Sequence, residues 1–207
     1  DADNLTIDGS GEGTGRTGLT IRSATNTFGS IFFSDATSGA AQYDGVVAYD
    51  HSTQTMRFST ASTQHMFINS NGVVTMPNTP AFRAYISGGP QGINGTIPFS
   101  QIDYNIGSNY NSSNYRFTAP VAGRYSFHFY SIYRGNHNNN AFGFYKNGSG
   151  FDGDRAHFTR QLGGYWDYID MSQVLNLAAG DYVTCLTHSS VDLHGGNWAS
   201  FSGHLVG

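Results

Sequence analysis

Phe117-Thr118-Ala119-Pro120-Val121-Ala122-Gly123-Arg124-Tyr125-Ser126-Phe127-His128-Phe129-Tyr130-Ser131-Ile132-Tyr133 is the stretch from which the fold is read. From Arg124 it alternates with period two. Tyr125, Phe127 and Phe129 fall on one face of a strand, and Ser126, His128 and Tyr130 on the other. Ahead of the strand, Pro120 holds φ and Gly123 takes a turn position where a side chain would clash. Ala141–Tyr145 repeats the pattern with Phe142 and Phe144, and Asp181–Thr187 sets Tyr182, Thr184 and Leu186 against Val183 and Cys185. Val174-Leu175-Asn176-Leu177 leads into the turn Ala178-Ala179-Gly180-Asp181, and Phe201–Val206 closes the run. Many short strands punctuated by turns, with no competing helical period, predict a sandwich or jelly roll. Phe117, Tyr125, Phe127, Phe201 and Leu205 are expected between its sheets.

Composition agrees with an all-β chain. The 207 residues include 27 glycines and 12% charged residues, with one lysine (Lys146) and one glutamate (Glu12). Asn, Ser, Thr and aromatics suit strands and turns better than helices. A formal charge of −4 gives no basic footprint for nucleic acid. No apolar run approaches the roughly 20 residues that span a bilayer, so membrane insertion is not expected. The polar opening DADNLTIDGSGEGTG lacks a signal peptide and a methionine, and the chain reads as part of something longer. The lone Cys185 rules out an internal disulfide framework and a cysteine zinc cage, and inside a strand it reads as a small buried hydrophobe.

Character changes near Pro77–Pro80, which predicts two domains, 1–77 and 78–207. The first alternates short apolar runs with turns: Leu5-Thr6-Ile7, Leu19-Thr20-Ile21, Ile31-Phe32-Phe33, Val46–Tyr49, Met56-Arg57-Phe58, Met66-Phe67-Ile68 and Val73–Met76. Such spacing reads as consecutive hairpins, with Asn71-Gly72 a strong hairpin signal in which both central positions accept positive φ. Each fully buried large side chain contributes about 1.5–3 kcal/mol, against roughly 1–2 kcal/mol per ordered backbone residue. So few bulky groups predict a segment that completes its core with other copies of itself.

Both segments resemble known families. In the first, Gly45-Val46-Val47-Ala48-Tyr49-Asp50-His51, Met56-Arg57-Phe58 and Met66–Val73 resemble the β-structured shafts of bacteriophage tail fibres, over about residues 4–77. The second, residues 80–207, is similar to the globular head of complement component 1q, within the tumour-necrosis-factor-like jelly rolls. Its motifs are Ala81-Phe82; Ile97, Phe99, Asn105, Gly107 and Tyr110; Phe117–Phe127; Leu175, Leu177, Gly180, Asp181 and Val183; and Phe201-Ser202-Gly203-His204-Leu205. The sequence departs from the family at Ala119, where many members have cysteine, in the Asn-rich His137–Asn140, and in the aromatic insert Tyr165-Trp166-Asp167-Tyr168. The resemblance implies a ten-stranded jelly-roll head on a short-strand hairpin shaft, assembled as a homotrimer.

Catalysis finds no footing in the residues. Gly9–Gly15 has no following Lys-Ser/Thr and reads as a flexible turn. Ser, His and Asp occur throughout without a nucleophile elbow. No cofactor is called for. Calcium is the one option, on the family resemblance, with Asp152 and Asp154 as weak candidate ligands and Asp167 and Asp170 the further carboxylates. His128 reads as a hydrogen-bonded strand residue, and His137, His188 and His194 as loop residues. Planar and amide groups gather in Tyr133–Asn140, in Tyr165–Tyr168 and at Trp198. Sugar rings stack on Tyr or Trp and take hydrogen bonds from Asn, Asp and Arg. The candidate receptor-binding residues are therefore Arg134, His137, Asn138, Asn139, Tyr165, Trp166, Tyr168 and Trp198. Packing in the sheets or between subunits is the competing role for the aromatics. The four Asn-x-Ser/Thr sequons, at Asn4, Asn94, Asn111 and Asn147, matter in a eukaryotic secretory setting.

These readings predict a viral adhesion protein: a distal tail-fibre segment in the virion whose trimeric head recognises a glycan or protein receptor on a bacterial surface. It would join other tail proteins through a missing N-terminal part. The alternative is a secreted cellular complement-1q-like module that binds proteins or pattern ligands. A polysaccharide-cleaving tailspike would need a long β-helical body.

Overall fold

The structure, a computed structural model, describes residues 18–88, 91–135, 140–150, 157–159 and 166–207. Residues 4–7 and 9–15, His137, Asn138, Asn139, Asp152, Asp154 and Tyr165 lie outside the described residues. The chain divides into two units, Asp1–Pro77 and Asn78–Gly207.

In the first unit five strands follow one another as an antiparallel meander: β1 Phe28–Phe33, β2 Gly45–Asp50, β3 Thr55–Thr60, β4 Thr63–Ile68 and β5 Val74–Thr75. A 3-10 turn, Ala40–Tyr43, bridges β1 and β2. Directly paired residues share a face, so register sorts the side chains. Phe28–Asp50–Thr55, Ser30–Ala48–Arg57 and Phe32–Val46–Ser59 form rows on one face; Gly29–Tyr49–Met56, Ile31–Val47–Phe58 and Phe33–Gly45–Thr60 form rows on the other. Two expectations need correcting. Leu19-Thr20-Ile21 pairs with no strand among the described residues; Ile21 instead lies against Gly29, its methyl 3.5 Å from where a Cβ would stand. At the β4–β5 hairpin Gly72 has positive φ and Asn71 does not. The Asn69 carboxamide completes that turn, its Oδ1 accepting from the amides of Asn71 and Val73 at 3.0 Å each.

The second unit is the jelly roll. Its described strands are β6 Ala81–Ile86, β7 Gln91–Thr96, β8 Gln101–Ile106, β9 Tyr110–Asn111, β10 Arg116–Thr118, β11 Gly123–Gly135, β12 Asn140–Lys146, β13 Ser149–Gly150, β14 His157–Thr159, β15 Asp167–Leu177, β16 Tyr182–Leu193 and β17 Gly196–Leu205. Where ten were expected there are twelve among the described residues, because two-residue bridges at β9 and β13 extend the ladders. One layer runs β8–β6–β17–β11–β15. In the other, β16 pairs with β7, β10 and β12, and β12 carries β13 and β14. The layers share ladder bonds where Tyr133–Gly135 of β11 meets Val191–Leu193 of β16.

Alternation on β11 puts Tyr125, Phe127, Phe129 and Tyr133 wholly out of water, facing rings from β6, β12 and β17. Phe82 stacks on Tyr110 (4.7 Å, 7°) and Phe117 (5.0 Å, 15°), and meets Phe201 edge-on at 4.9 Å. Across the layers, Phe129 reaches Phe142 at 5.6 Å and Phe127 reaches Phe144 at 6.0 Å. Offset and edge-on pairs suit the ring quadrupole and add to area burial. Cys185 is buried, as a small hydrophobe in a strand should be. The turn before β16 is held by Asp181, which accepts from the Ala178 amide at 2.8 Å and from Asn147 Nδ2 at 2.7 Å, and faces Lys146 Nζ at 2.6 Å.

Candidate functional site

β11 is the strand at which both layers and the aromatic residues meet. Tyr133 is paired with Asp167 of β15 and with Leu193 of β16, and Arg134 faces Asp192 in the next ladder position. On the same end, β17 begins at Gly196 opposite Ile86, the last residue of β6. This end is therefore opposite the one where β6 starts at Ala81 and pairs with His204 and Ile106.

A chain of rings crosses this end. Trp166 lies 5.4 Å from His194 at 58°, and His194 lies 5.6 Å from Trp198 at 60°. Both indoles are substantially exposed, 41% and 51%, although an indole of that size normally avoids water. The Arg134 guanidinium sits 5.3 Å from the Trp166 ring centre and donates to Asp192 Oδ2 at 3.0 Å. Cation–π contact and ion pair hold that guanidinium over the ring. The His194 amide donates to Ile132 O at 2.9 Å, tying the ring-bearing loop to β11. Its Nδ1 lies 3.1 Å from Gly195 O; a carbonyl only accepts, so Nδ1 carries the hydrogen and Nε2 is the acceptor of the neutral ring. The assembly offers two apolar ring faces, a guanidinium, a carboxylate and an imidazole.

The structure thus brings Arg134, Trp166 and Trp198 together and adds His194, which the sequence placed in a loop, and Asp192, which the sequence reading did not select. Arg134 is the penultimate residue of strand β11 and Trp198 lies within β17, so both sit on strands. Tyr168 is also on a strand, β15, opposite Ile132 on the open face of its layer; it is 67% exposed and contacts none of these rings. His188, expected in a loop, is in β16, where its Nε2 hydrogen-bonds the Tyr145 hydroxyl.

His128, Cys185 and Tyr110 lie elsewhere and are poorly placed for chemistry. His128 Nε2 is 3.0 Å from Asp170 Oδ1, but the pair is open to water on a flat strand surface, 42% and 56% exposed. General-base catalysis wants a water-excluding cleft and an oriented substrate. Burial pushes the Cys185 thiol well up, away from the nucleophilic thiolate. Burial likewise raises the Tyr110 phenol, whose hydroxyl donates to Phe99 O at 2.9 Å. Among the described residues no three His, Cys, Asp or Glu side chains converge to hold a metal ion.

Residues 81–206 match the C1q domain family. Among solved structures, the globular domain of zebrafish complement 1qA is 17% identical with a TM-score of 0.50, covering 62% of this chain and 98% of that one. Murine APRIL at pH 5.0 is 8% identical with a TM-score of 0.50, covering 62% of this chain and 99% of that one. Eiger TNF from S. frugiperda is 10% identical with a TM-score of 0.48, covering 63% and 94% respectively. At such identities the likeness is one of fold. No curated protein sequence matches the chain.

Proposed function

The chain belongs to the C1q domain family over residues 81–206, and on that premise we propose that it is an extracellular binding module, not an enzyme, which works as a homotrimer. Its ligand is a glycan-bearing surface, gripped at the head end that carries Arg134, Trp166, His194 and Trp198. One observation carries this reading: two half-exposed indoles bracket an imidazole, with a charged, hydrogen-bonding Arg–Asp pair against them. The apolar face of a pyranose stacks on such rings while its hydroxyls bond to the planar polar groups.

Trimer assembly draws support from the open face of the β8–β6–β17–β11–β15 layer. Tyr104 and Ile106 are exposed on one edge strand, and Tyr168 and Val174 on the other, while the rows between them carry Arg83, His204, Ser202, Ser126, His128 and Tyr130. The apolar margins let the edges of neighbouring copies meet. Three linked heads convert weak single contacts into firm attachment through effective concentration.

The phage tail-fibre setting gains nothing from these matches, which are to the C1q domain and to the folds of zebrafish complement 1qA and murine APRIL. They favour the secreted C1q-like module. Labelled full chain on a printed glycan array, beside a panel of immobilised proteins, tests the ligand class. Selective glycan spots are expected; retention by proteins alone would reassign the partner.

A further inference from the structure

We infer that the first unit is itself a self-association surface, each face of its sheet covered by the same strands of another copy of this chain. Among the described residues of this unit, only Ala48 and Asp50 are buried. A sheet with one wet face alternates apolar and polar along each strand. This one does not: Phe32 and Val46 lie on one face, Phe33 and Val47 on the other. Phe32 is 51% and Phe33 62% exposed, so neither face is covered among the described residues.

Charge points to a protein partner of the same kind. The strands β1–β5 contain two formally charged residues, Asp50 and Arg57, and these pair with each other at 2.5 Å. Both faces therefore present no uncompensated charge, the composition of an interface centre. Ten large apolar side chains among the described residues of the unit are exposed.

Two apolar faces on one thin sheet also decide the geometry. A single two-fold contact would cover one face and leave the other wet. Laying one face of each copy on the opposite face of the next covers both, and such head-to-tail contacts close as a ring or run on as a filament. Closure at three comes from the head, and that clause alone rests on the proposed function.

Thiol labelling of the full purified chain tests this, with Cys185 buried and silent. Phe32→Cys reports one face, Phe33→Cys the other, and Thr53→Cys an exposed turn. The expected result is a trimeric mass with labelling at 32 and 33 slowed at least tenfold relative to 53. Fast labelling at both positions in a chain that is still trimeric overturns the inference and leaves the head's assembly standing. Protection of one face alone overturns the two-faced packing, and a monomeric mass overturns the whole. Hydroxyl-radical footprinting of Phe32, Phe33 and Met76 in the unsubstituted chain reads the same faces should the cysteine variants misfold: slow modification agrees, and modification at the rate of exposed residues contradicts.

Discussion

Gly203 lies directly opposite Phe127 in the β17–β11 ladder, and a Cβ on it would stand 2.6 Å from the phenyl Cδ1 and 2.9 Å from Phe82 on its other side. The glycine of the closing Phe-Ser-Gly-x-Leu motif is thus set by ring packing. Neither ring can retreat, since Phe82 and Phe127 are both fully buried. Gly203→Ala is expected to cost about 1–3 kcal/mol by overpacking, read as a lower denaturation midpoint.

Phe127→Ala removes the ring from the other side of the same contact. With Phe117, Phe144 and Phe201 all around it, the cavity left behind should cost roughly 3–5 kcal/mol. An unchanged melting curve would mean that this strand faces the other way.

The strand faces were legible because period-two alternation is local: Tyr125, Phe127 and Phe129 needed no knowledge of their partners. The Trp166–His194–Trp198 cluster was not legible as a unit. Its members are 28 and 4 residues apart in sequence and meet because β11 binds β15 on one side and β16 at its tip. The aromatic and guanidinium character of Arg134, Trp166 and Trp198 showed in the sequence; the pairing that recruits His194 and Asp192 did not. Leu19-Thr20-Ile21 was misread for the same reason, since a strand-like run becomes a strand only with a partner.

Acid should weaken the turn between β15 and β16. Lys146, helped by Asn147 and the Ala178 amide, lowers the Asp181 carboxyl from an ordinary 3.8 to about 2. A carboxyl lowered by folding stabilises the fold above its unfolded value and loses that contribution as pH falls through its folded one. Stability should therefore fall between about pH 4 and pH 2. Asp181→Asn should be less stable at neutral pH and show a shallower decline over that window in thermal melts.

Cys185 should resist alkylating reagents in the native chain at neutral pH and react once denaturant opens the fold. Its labelling rate would then report opening of the head rather than thiol chemistry. Rapid modification without unfolding would place this part of β16 at the surface.

Binding at the ring cluster is the central claim, and one comparison bears on it most directly. The full chain and a Trp166→Ala/Trp198→Ala variant are titrated on the glycan surface that the parent protein selects, with mass and melting recorded for both. Both indoles are exposed, so the variant should keep the parent's oligomeric mass and melting curve while its binding falls at least tenfold. Undiminished binding by a variant of unchanged mass and stability would contradict the account.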